Sequence, residues 1–241
     1  MERHVTSPEL ILALDVPSLS DAKALLPRLP AELEYYKIGL ELFTREGPDA
    51  IRAFTEKRKR IFLDLKLHDI PCTVAHAVHA AAKLGVSLLT VHAAGGRAML
   101  KAAAVAAAEL GHNAPRLIAV TTLTSLNEQD LAELGIVRTL TEQALALAEM
   151  ALAAGIHGLV TSVDEAAALR RAFGPKPILV TPGIRPAGSE TGDQKRVATP
   201  AAAVQAGADF LVVGRPILEA RDPHKAAQMI LGEMRNAAGR T

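Results

Sequence analysis

Short apolar runs recur eight times along the chain, and longer segments with helical periodicity separate them. Each run is rich in leucine or β-branched residues and predicts a buried strand. The predicted strands span residues 10–16, 36–42, 61–67, 87–92, 117–122, 158–161, 178–181 and 210–213. The intervening segments predict helices that include 20–29, 74–84, 97–110, 141–154, 164–173, 200–206 and 223–237.

Continuously apolar strands that alternate with helices indicate a parallel sheet covered on both faces. Eight strand–helix units in 241 residues fit a closed (β/α)8 TIM barrel, for which roughly 250 residues are typical. An open, doubly wound sheet is the main alternative. No linker or change in composition divides the chain, so we expect one α/β barrel domain over residues 1–241. The longest insertion, 124–139, follows the fifth strand, and a short helix is expected from Asn127.

The composition narrows the possible functions. A net charge of +1 with 22% charged residues provides no bulk basic field for nucleic acid or an anionic membrane. Only 3% of residues are aromatic, which argues against a platform for stacking bases. A single cysteine, Cys72, excludes an intramolecular disulfide and a multi-cysteine metal site. The first eight residues lack the apolar segment of a secretory signal, and we expect a cytoplasmic protein without a membrane partner.

Polar residues interrupt the apolar strands near their carboxyl ends, where barrel enzymes place their catalytic groups. The residues in question on the first four strands are Asp15, Lys37, Asp64, Lys66 and His92. The third strand is the most informative, because alternation places Asp64, Lys66 and His68 on one face and the intervening leucines on the other. Buried charges are costly unless they are paired, so the spacing of Asp64 and Lys66 predicts an ion pair in the barrel mouth. The alternative is a surface ion pair at a strand end.

The residues after the third strand suggest a second role. Pro71 disfavours helical geometry at Ile70, so Asp69 is expected in an extended loop from which it could face a neighbouring subunit. Thr73 precedes the next helical pattern and is predicted to cap that helix at its amino end.

The ends of the last two strands predict a phosphate site, since the loops after strands seven and eight often bind phosphate in such barrels. Arg185 and Arg215 can form forked, charge-assisted hydrogen bonds, and Gly214 permits close approach of the backbone. The polar stretch 186–195 is predicted to be a mobile lid. The alternative is an ordinary solvated loop with a stray arginine.

The sequence Asp64-Leu-Lys-Leu-His-Asp-Ile-Pro-Cys-Thr-Val74 resembles the motif of the orotidine 5′-phosphate decarboxylase family. The resemblance extends over nearly the whole chain. Further matching segments are Leu12-Ala-Leu-Asp15, Lys37-Ile-Gly, Thr90-Val-His92, Leu123-Thr-Ser125, Val180-Thr-Pro-Gly-Ile-Arg185, Gly192-Asp-Gln-Lys-Arg196 and Val212-Val-Gly-Arg-Pro-Ile217. The third-strand motif is highly specific, whereas the Gly-Arg pair of the last segment would be weak alone.

The resemblance implies roles for the polar residues of the first three strands. Asp15 would hold the substrate's ribose, and Lys37 would join the charged network around it. Asp64 and Lys66 would face the substrate carboxylate and C6. His92 is expected to support the barrel mouth rather than to donate a proton.

The resemblance also implies contacts from the later segments and from a second subunit. Asp69 and Thr73 would reach into the partner's active site, which makes the enzyme a homodimer with shared sites. The other expected substrate contacts are Thr124 and Ser125 to the pyrimidine ring, Pro182 beside them, Gln194 between base and phosphate, and Arg185, Gly214 and Arg215 to the phosphate.

The implied reaction is decarboxylation of orotidine 5′-phosphate without a metal or cofactor. Lys66 would stabilise the C6 carbanion and then protonate it. Two other readings remain open. The first is a related barrel that acts on sugar phosphates with a metal, although such relatives carry an acidic metal ligand where this chain has Lys37. The second is a non-catalytic barrel that only binds a phosphorylated ligand.

Overall fold

The chain, in a computed structural model that describes residues 7–186 and 198–239, forms a closed barrel of eight parallel strands. The strands are β1 (Glu9–Ala13), β2 (Tyr35–Gly39), β3 (Arg60–Leu67), β4 (Leu88–His92), β5 (Arg116–Val120), β6 (Gly158–Val160), β7 (Ile178–Thr181) and β8 (Phe210–Val213). They pair in chain order, and β8 closes the barrel against β1. The predicted (β/α)8 barrel is confirmed, and the open doubly wound sheet is excluded.

Helices cover the outside of the barrel. They are α1 (Leu19–Leu25), α2 (Leu40–Glu46), α3 (Pro48–Thr55), α4 (Pro71–Ala82), α5 (Gly96–Glu109), α6 (Glu128–Glu133), α7 (Leu140–Ala153), α8 (Val163–Phe173), α9 (Pro200–Gln205), α10 (Arg215–Leu218) and α11 (Pro223–Ala238). All seven segments named as helical correspond to helices; five agree to within one residue at both ends, while the first ends four residues earlier and the second begins three residues earlier than predicted. The predicted helix from Asn127 is present as α6, and Asn127 caps it.

Alternation along the strands divides the core into two layers. In β1, Ile11 and Ala13 point into the barrel, where they join Phe62, Phe210 and other buried side chains. Leu10 and Leu12 point outward and pack beneath the helices. Because apolar side chains fill the barrel interior, polar groups can gather only at its rim.

The second strand is shorter than predicted. The apolar run 36–42 ends as a strand at Gly39, and α2 begins at Leu40. A short apolar run fits a strand and a buried helical turn equally well, so periodicity could not separate the two. Helix α2 overlaps that run and was not predicted for this reason, whereas α3, which begins at Pro48, was not among the helices named from the sequence.

The predicted cap at Thr73 is wrong. Helix α4 begins at Pro71, with Ile70 at the cap position and no side-chain hydrogen bond there. Proline suits the first helical position because its missing N–H would have no partner within the helix. Thr73 therefore lies inside the first turn, with its side chain exposed.

Candidate active site

The third strand carries an ion pair at the mouth of the barrel. Lys66 Nζ lies 2.9 Å from Asp64 Oδ2. The Asp64 side chain is only 12% exposed, against 32% for Lys66, so the pair is partly shielded from water. Leu65 and Leu67 pack against the core beneath the helices. The predicted ion pair and the predicted division of the strand's two faces are both present.

Lys37 extends this pair into a row of alternating charges. Its Nζ lies 2.9 Å from Asp15 Oδ1 and 3.9 Å from Asp64 Oδ2. The row therefore runs Asp15, Lys37, Asp64, Lys66 across the ends of β1, β2 and β3. Each charge inside the row has an opposite charge on both sides, which offsets the desolvation cost of placing them together.

Two histidines lie beside the row. The rings of His68 and His92 stack with their centroids 5.1 Å apart. The N–H of Ala94 donates to His92 Nδ1 over 3.3 Å. Burial lowers the pKa of His92 below its usual value, and the nearby His68 and Lys66 lower it further. A neutral His92 at physiological pH is consistent with a supporting role.

A cavity of about 500 Å³ opens at the carboxyl ends of the strands. This volume is in the range of small-molecule sites. Nine of the predicted site residues line it: Asp15, Lys37, Asp64, Lys66, Thr124, Pro182, Arg185, Gly214 and Arg215. Residues from six different strand ends thus meet in one site, as the barrel topology requires.

The floor of this cavity is apolar and was not predicted. Phe62, Val120, Val160 and Val212 form it. They could have been predicted from their positions inside the predicted strands, just before the polar residues at the strand ends. An apolar floor beneath charged walls excludes water and strengthens the electrostatic interactions above it.

The opposite wall contains the predicted phosphate residues. The Arg185 N–H donates to Ala198 O over 2.9 Å, and Ile184 forms a bridge with Ala198. This contact joins the two ends of segment 187–197, which lies outside the described residues. Gly214 follows β8 and lies beside Asp15, since a Cβ built there would be in ordinary contact, 3.5 Å from Asp15 Oδ2.

Three predicted residues do not line this cavity, and a fourth lies outside the part of the chain that the structure describes. Asp69, Thr73 and Ser125 are exposed and are not among the residues that line the cavity. Gln194 lies outside the described residues. Asp69 Oδ1 accepts a hydrogen bond from the Ile70 N–H over 2.6 Å, and no ion pair of Asp69 is found among residues 7–186 and 198–239. In the described part of the chain, Lys66 is thus paired with Asp64 and not with Asp69.

Thr90 was missed as a site residue, although it touches two residues of the charged row. Its hydroxyl contacts the Asp64 carboxylate and the Lys66 backbone. The signals in the sequence were a hydroxyl residue between the apolar Leu89 and Val91 and the place of Thr90 in the matching segment Thr90-Val-His92, for which no role was predicted.

Within the described ranges, no three His, Cys, Asp or Glu side chains come together as a metal-binding group. In the same part of the chain, no helix is long and apolar enough to cross a membrane.

Comparison with known proteins gives consistent matches over almost the whole chain. The model of the orotidine 5′-phosphate decarboxylase / HUMPS family matches residues 8–230. An orotidine 5′-phosphate decarboxylase of Moorella thermoacetica is 50% identical over 239 residues, covering 97% of this chain and 95% of that protein. One from Halorhodospira halophila is 51% identical over 229 residues, covering 94% and 96% of the two chains. The crystal structure of an orotidine 5′-phosphate decarboxylase from Lactobacillus acidophilus is similar at a TM-score of 0.84, with 39% identity over 95% of this chain and 99% of that one.

Proposed function

The chain belongs to the orotidine 5′-phosphate decarboxylase / HUMPS family, and we propose that it converts orotidine 5′-phosphate to uridine 5′-phosphate and CO2 in pyrimidine biosynthesis. It is a carboxy-lyase. The observation that carries this proposal is the row of alternating charges Asp15, Lys37, Asp64 and Lys66 on the wall of the cavity. A barrel that only bound a phosphorylated ligand would gain nothing from such a costly array.

The chemistry requires charge stabilisation at a carbon atom. Loss of CO2 breaks the bond to C6 and leaves the electron pair on that carbon, with no adjacent group to delocalise it. The Lys66 ammonium, held by Asp64, stabilises the developing negative charge and then transfers a proton to C6. A preorganised charge at the point where charge develops is usually the largest single contribution to catalysis.

Asp64 also repels the substrate carboxylate. At about 4 Å and an effective dielectric constant near 20, this repulsion is about 4 kcal/mol, and it is relieved as CO2 departs. The most proficient enzymes lower their barriers by roughly 20 kcal/mol or more. Stabilisation of the transition state by the site as a whole must therefore provide most of the effect.

The rest of the substrate is held by the remaining walls. Asp15 binds the ribose and Thr124, Ser125 and Pro182 contact the pyrimidine, while Arg185, Gly214 and Arg215 bind the phosphate. Gln194, which lies outside the described residues, bridges base and phosphate. Binding energy from the distant phosphate then orders the charged row around the reacting carbon.

The active unit is a homodimer in the cytoplasm. Asp69 and Thr73 serve the partner's site, where Asp69 lies on the far side of that subunit's Lys66. Their exposure and their absence from the lining of their own cavity support this arrangement. Ile70, between them, is 67% exposed, and burying this side chain against a second subunit would favour association.

The related metal-dependent reaction on sugar phosphates is disfavoured by Lys37. Its ammonium lies between two carboxylates that would otherwise be suitable for a divalent ion. Activity that survives EDTA supports the cofactor-independent reaction. Loss of orotidine 5′-phosphate turnover with EDTA, restored by a divalent metal, would favour the metal-dependent alternative.

The direct test follows the absorbance loss of orotidine 5′-phosphate at low enzyme concentration. We expect turnover by the wild-type protein and a decrease of about 10⁴-fold or more in Lys66→Ala, with an unchanged circular dichroism spectrum. Appreciable decarboxylation by folded Lys66→Ala would contradict the proposal.

Mixing two inactive variants tests the shared site. A heterodimer of Lys66→Ala and Asp69→Ala chains contains one site with both residues intact. Random exchange should restore about a quarter of wild-type activity, because half of the dimers are mixed and each has one intact site. No recovery in a verified heterodimer would place Asp69 outside the partner's site.

A further inference from the structure

Strand β3 departs from regular pairing at its catalytic end. Leu63 pairs with Leu89 of β4, but the next pair along the strands joins Leu67 to Val91. Three residues of β3 therefore lie opposite the single residue Thr90. The irregularity falls on Asp64, Leu65 and Lys66, the segment that contains the ion pair.

Lys66 has an unusual backbone conformation at this point. Its φ of 50° makes it one of two non-glycine residues with positive φ among the described residues. This region is unfavourable for a residue with a Cβ, and it persists only where the surroundings impose it. The regular ladder with β4 is interrupted here, so the Lys66 amide needs another acceptor.

The Thr90 hydroxyl provides that acceptor. The Lys66 N–H donates to Thr90 Oγ1 over 2.8 Å, and Thr90 Oγ1 donates to Asp64 Oδ1 over 3.1 Å. Thr90 is fully buried, so water cannot replace it without rearrangement. A single hydroxyl thus joins the backbone of the lysine to the carboxylate of its ion-pair partner.

We propose that Thr90 is a positioning residue for the decarboxylation, an inference that rests on the proposed function. By occupying Asp64 Oδ1, its hydroxyl directs Oδ2 toward the ammonium groups of Lys66 and Lys37. By accepting from the Lys66 N–H, it holds the lysine in the conformation that brings its side chain back to Asp64. Thr90 acts through these two residues and does not itself line the cavity.

Two substitutions of Thr90 distinguish the effect of its hydroxyl group from the effect of its side-chain volume. Thr90→Val removes the hydroxyl and preserves the shape, whereas Thr90→Ser preserves the hydroxyl and removes the methyl group. Thr181→Val is the matched control. Thr181 is equally buried in a barrel strand, but its hydroxyl has no hydrogen-bond partner among the described residues.

The measurements are kcat for orotidine 5′-phosphate, Kd for uridine 5′-phosphate and Tm, all on the full chain. We expect Thr90→Val to lower kcat about 10- to 100-fold, as loss of a supporting contact or a small misplacement of reacting groups does. The Kd should stay within about threefold, since the product lacks the carboxylate next to Asp64. Thr90→Ser should retain kcat within about fivefold, and Thr181→Val within about twofold.

The inference is overturned if folded Thr90→Val keeps kcat within about threefold of wild type, or if Thr90→Ser loses as much as Thr90→Val. A purely structural role would lower Tm while leaving kcat of the folded enzyme unchanged. If Thr90→Val does not fold, comparison of Thr90→Ser with Thr90→Ala isolates the hydroxyl, and equal kcat values would refute the role. Absence of turnover in the wild-type protein would instead refute the proposed function.

Discussion

The ammonium of Lys37 lies directly above Gly39, so that a Cβ built on Gly39 would be 2.8 Å from Lys37 Nζ. The same Cβ would be 3.6 Å from Asp15 Oδ1. Gly39 has a φ of −96°, which any residue can adopt, so the need for glycine here is one of space. The missing side chain leaves room for the Lys37–Asp15 ion pair.

Replacing Gly39 with alanine should therefore damage the site more than the fold. The atom displaced is the flexible end of Lys37, which can move without disturbing β2. We expect Gly39→Ala to lower kcat/KM about 10- to 100-fold through a shift of this charge, with Tm changed by only a few degrees.

Gly232→Ala is the matched control for that substitution. Gly232 lies in α11 with open space around its Cβ position, so alanine should leave activity unchanged and stabilise the helix by about 0.5–1 kcal/mol. Wild-type kcat/KM in Gly39→Ala would show that the position of Lys37 tolerates displacement.

The close approach of β6 and β7 at Gly158 predicts that adding a side chain there lowers the stability of the protein. A Cβ on Gly158 would lie 2.4 Å from the carbonyl oxygen of Ile178 and 2.6 Å from its Cβ. Both atoms belong to a paired barrel strand and cannot rotate away. Gly158→Ala should lower the free energy of unfolding by about 1–3 kcal/mol or more, measured by urea denaturation. An unchanged urea midpoint would contradict this.

Arg170 and Asp209 form a buried ion pair at the opposite end of the barrel from the active site. The Arg170 guanidinium also donates to the carbonyl oxygens of Gly207 and Pro177, and Asp209 accepts from the Leu179 N–H. Arg170→Ala would leave the Asp209 carboxylate buried without its cation, at a cost of about 3–5 kcal/mol. We expect a lower urea midpoint with kcat of the folded enzyme preserved.

The exposed pair of Arg52 and Asp49 is the control for Arg170. Both side chains are more than half exposed, so Arg52→Ala should cost less than about 1 kcal/mol. If Arg170→Ala and Arg52→Ala lower the free energy of unfolding equally, the burial of Asp209 does not add to the cost of removing its ion-pair partner.

The two tyrosines of the chain should titrate abnormally at high pH. Burial raises the pKa of Tyr36 to about 12 and also raises the pKa of Tyr35, both from the usual 10.0. A raised pKa means that the neutral phenol favours the folded state. This stabilisation is complete below pH 10 and is lost as the pH rises toward 12.

Tyrosinate absorbance measures this directly, because the chain contains no tryptophan. We expect little tyrosinate in the native protein at pH 10, and about half ionisation in the urea-unfolded chain at the same pH. Tyr36→Phe should lose less stability than the wild type between pH 10 and 12. Half ionisation of the native protein at pH 10 would contradict the burial of these phenols.

The local pattern of apolar and polar residues was enough to predict the barrel and many residues of the candidate active site. Each of the eight predicted strands appears, because an apolar run between helical segments is a property of neighbouring residues. The ion pair of Asp64 and Lys66 was predicted from the two-residue period of a strand, although β3 is irregular at these residues. The meeting of Arg185 and Arg215 followed from the fact that parallel strands end at one rim.

Features that depend on the pairing of distant segments were visible only in the tertiary structure. The irregular register of β3 and the role of Thr90, 26 positions from Asp64, arise where two strands of unequal length are matched in a closed barrel. The end of β2 at Gly39 was likewise not determined by the apolar run 36–42, which fits a strand and a buried helical turn equally well. The alternation of side chains along one strand does not specify which residue of the next strand lies opposite. Here the residue opposite is Thr90 of β4, whose hydroxyl contacts both Asp64 and Lys66.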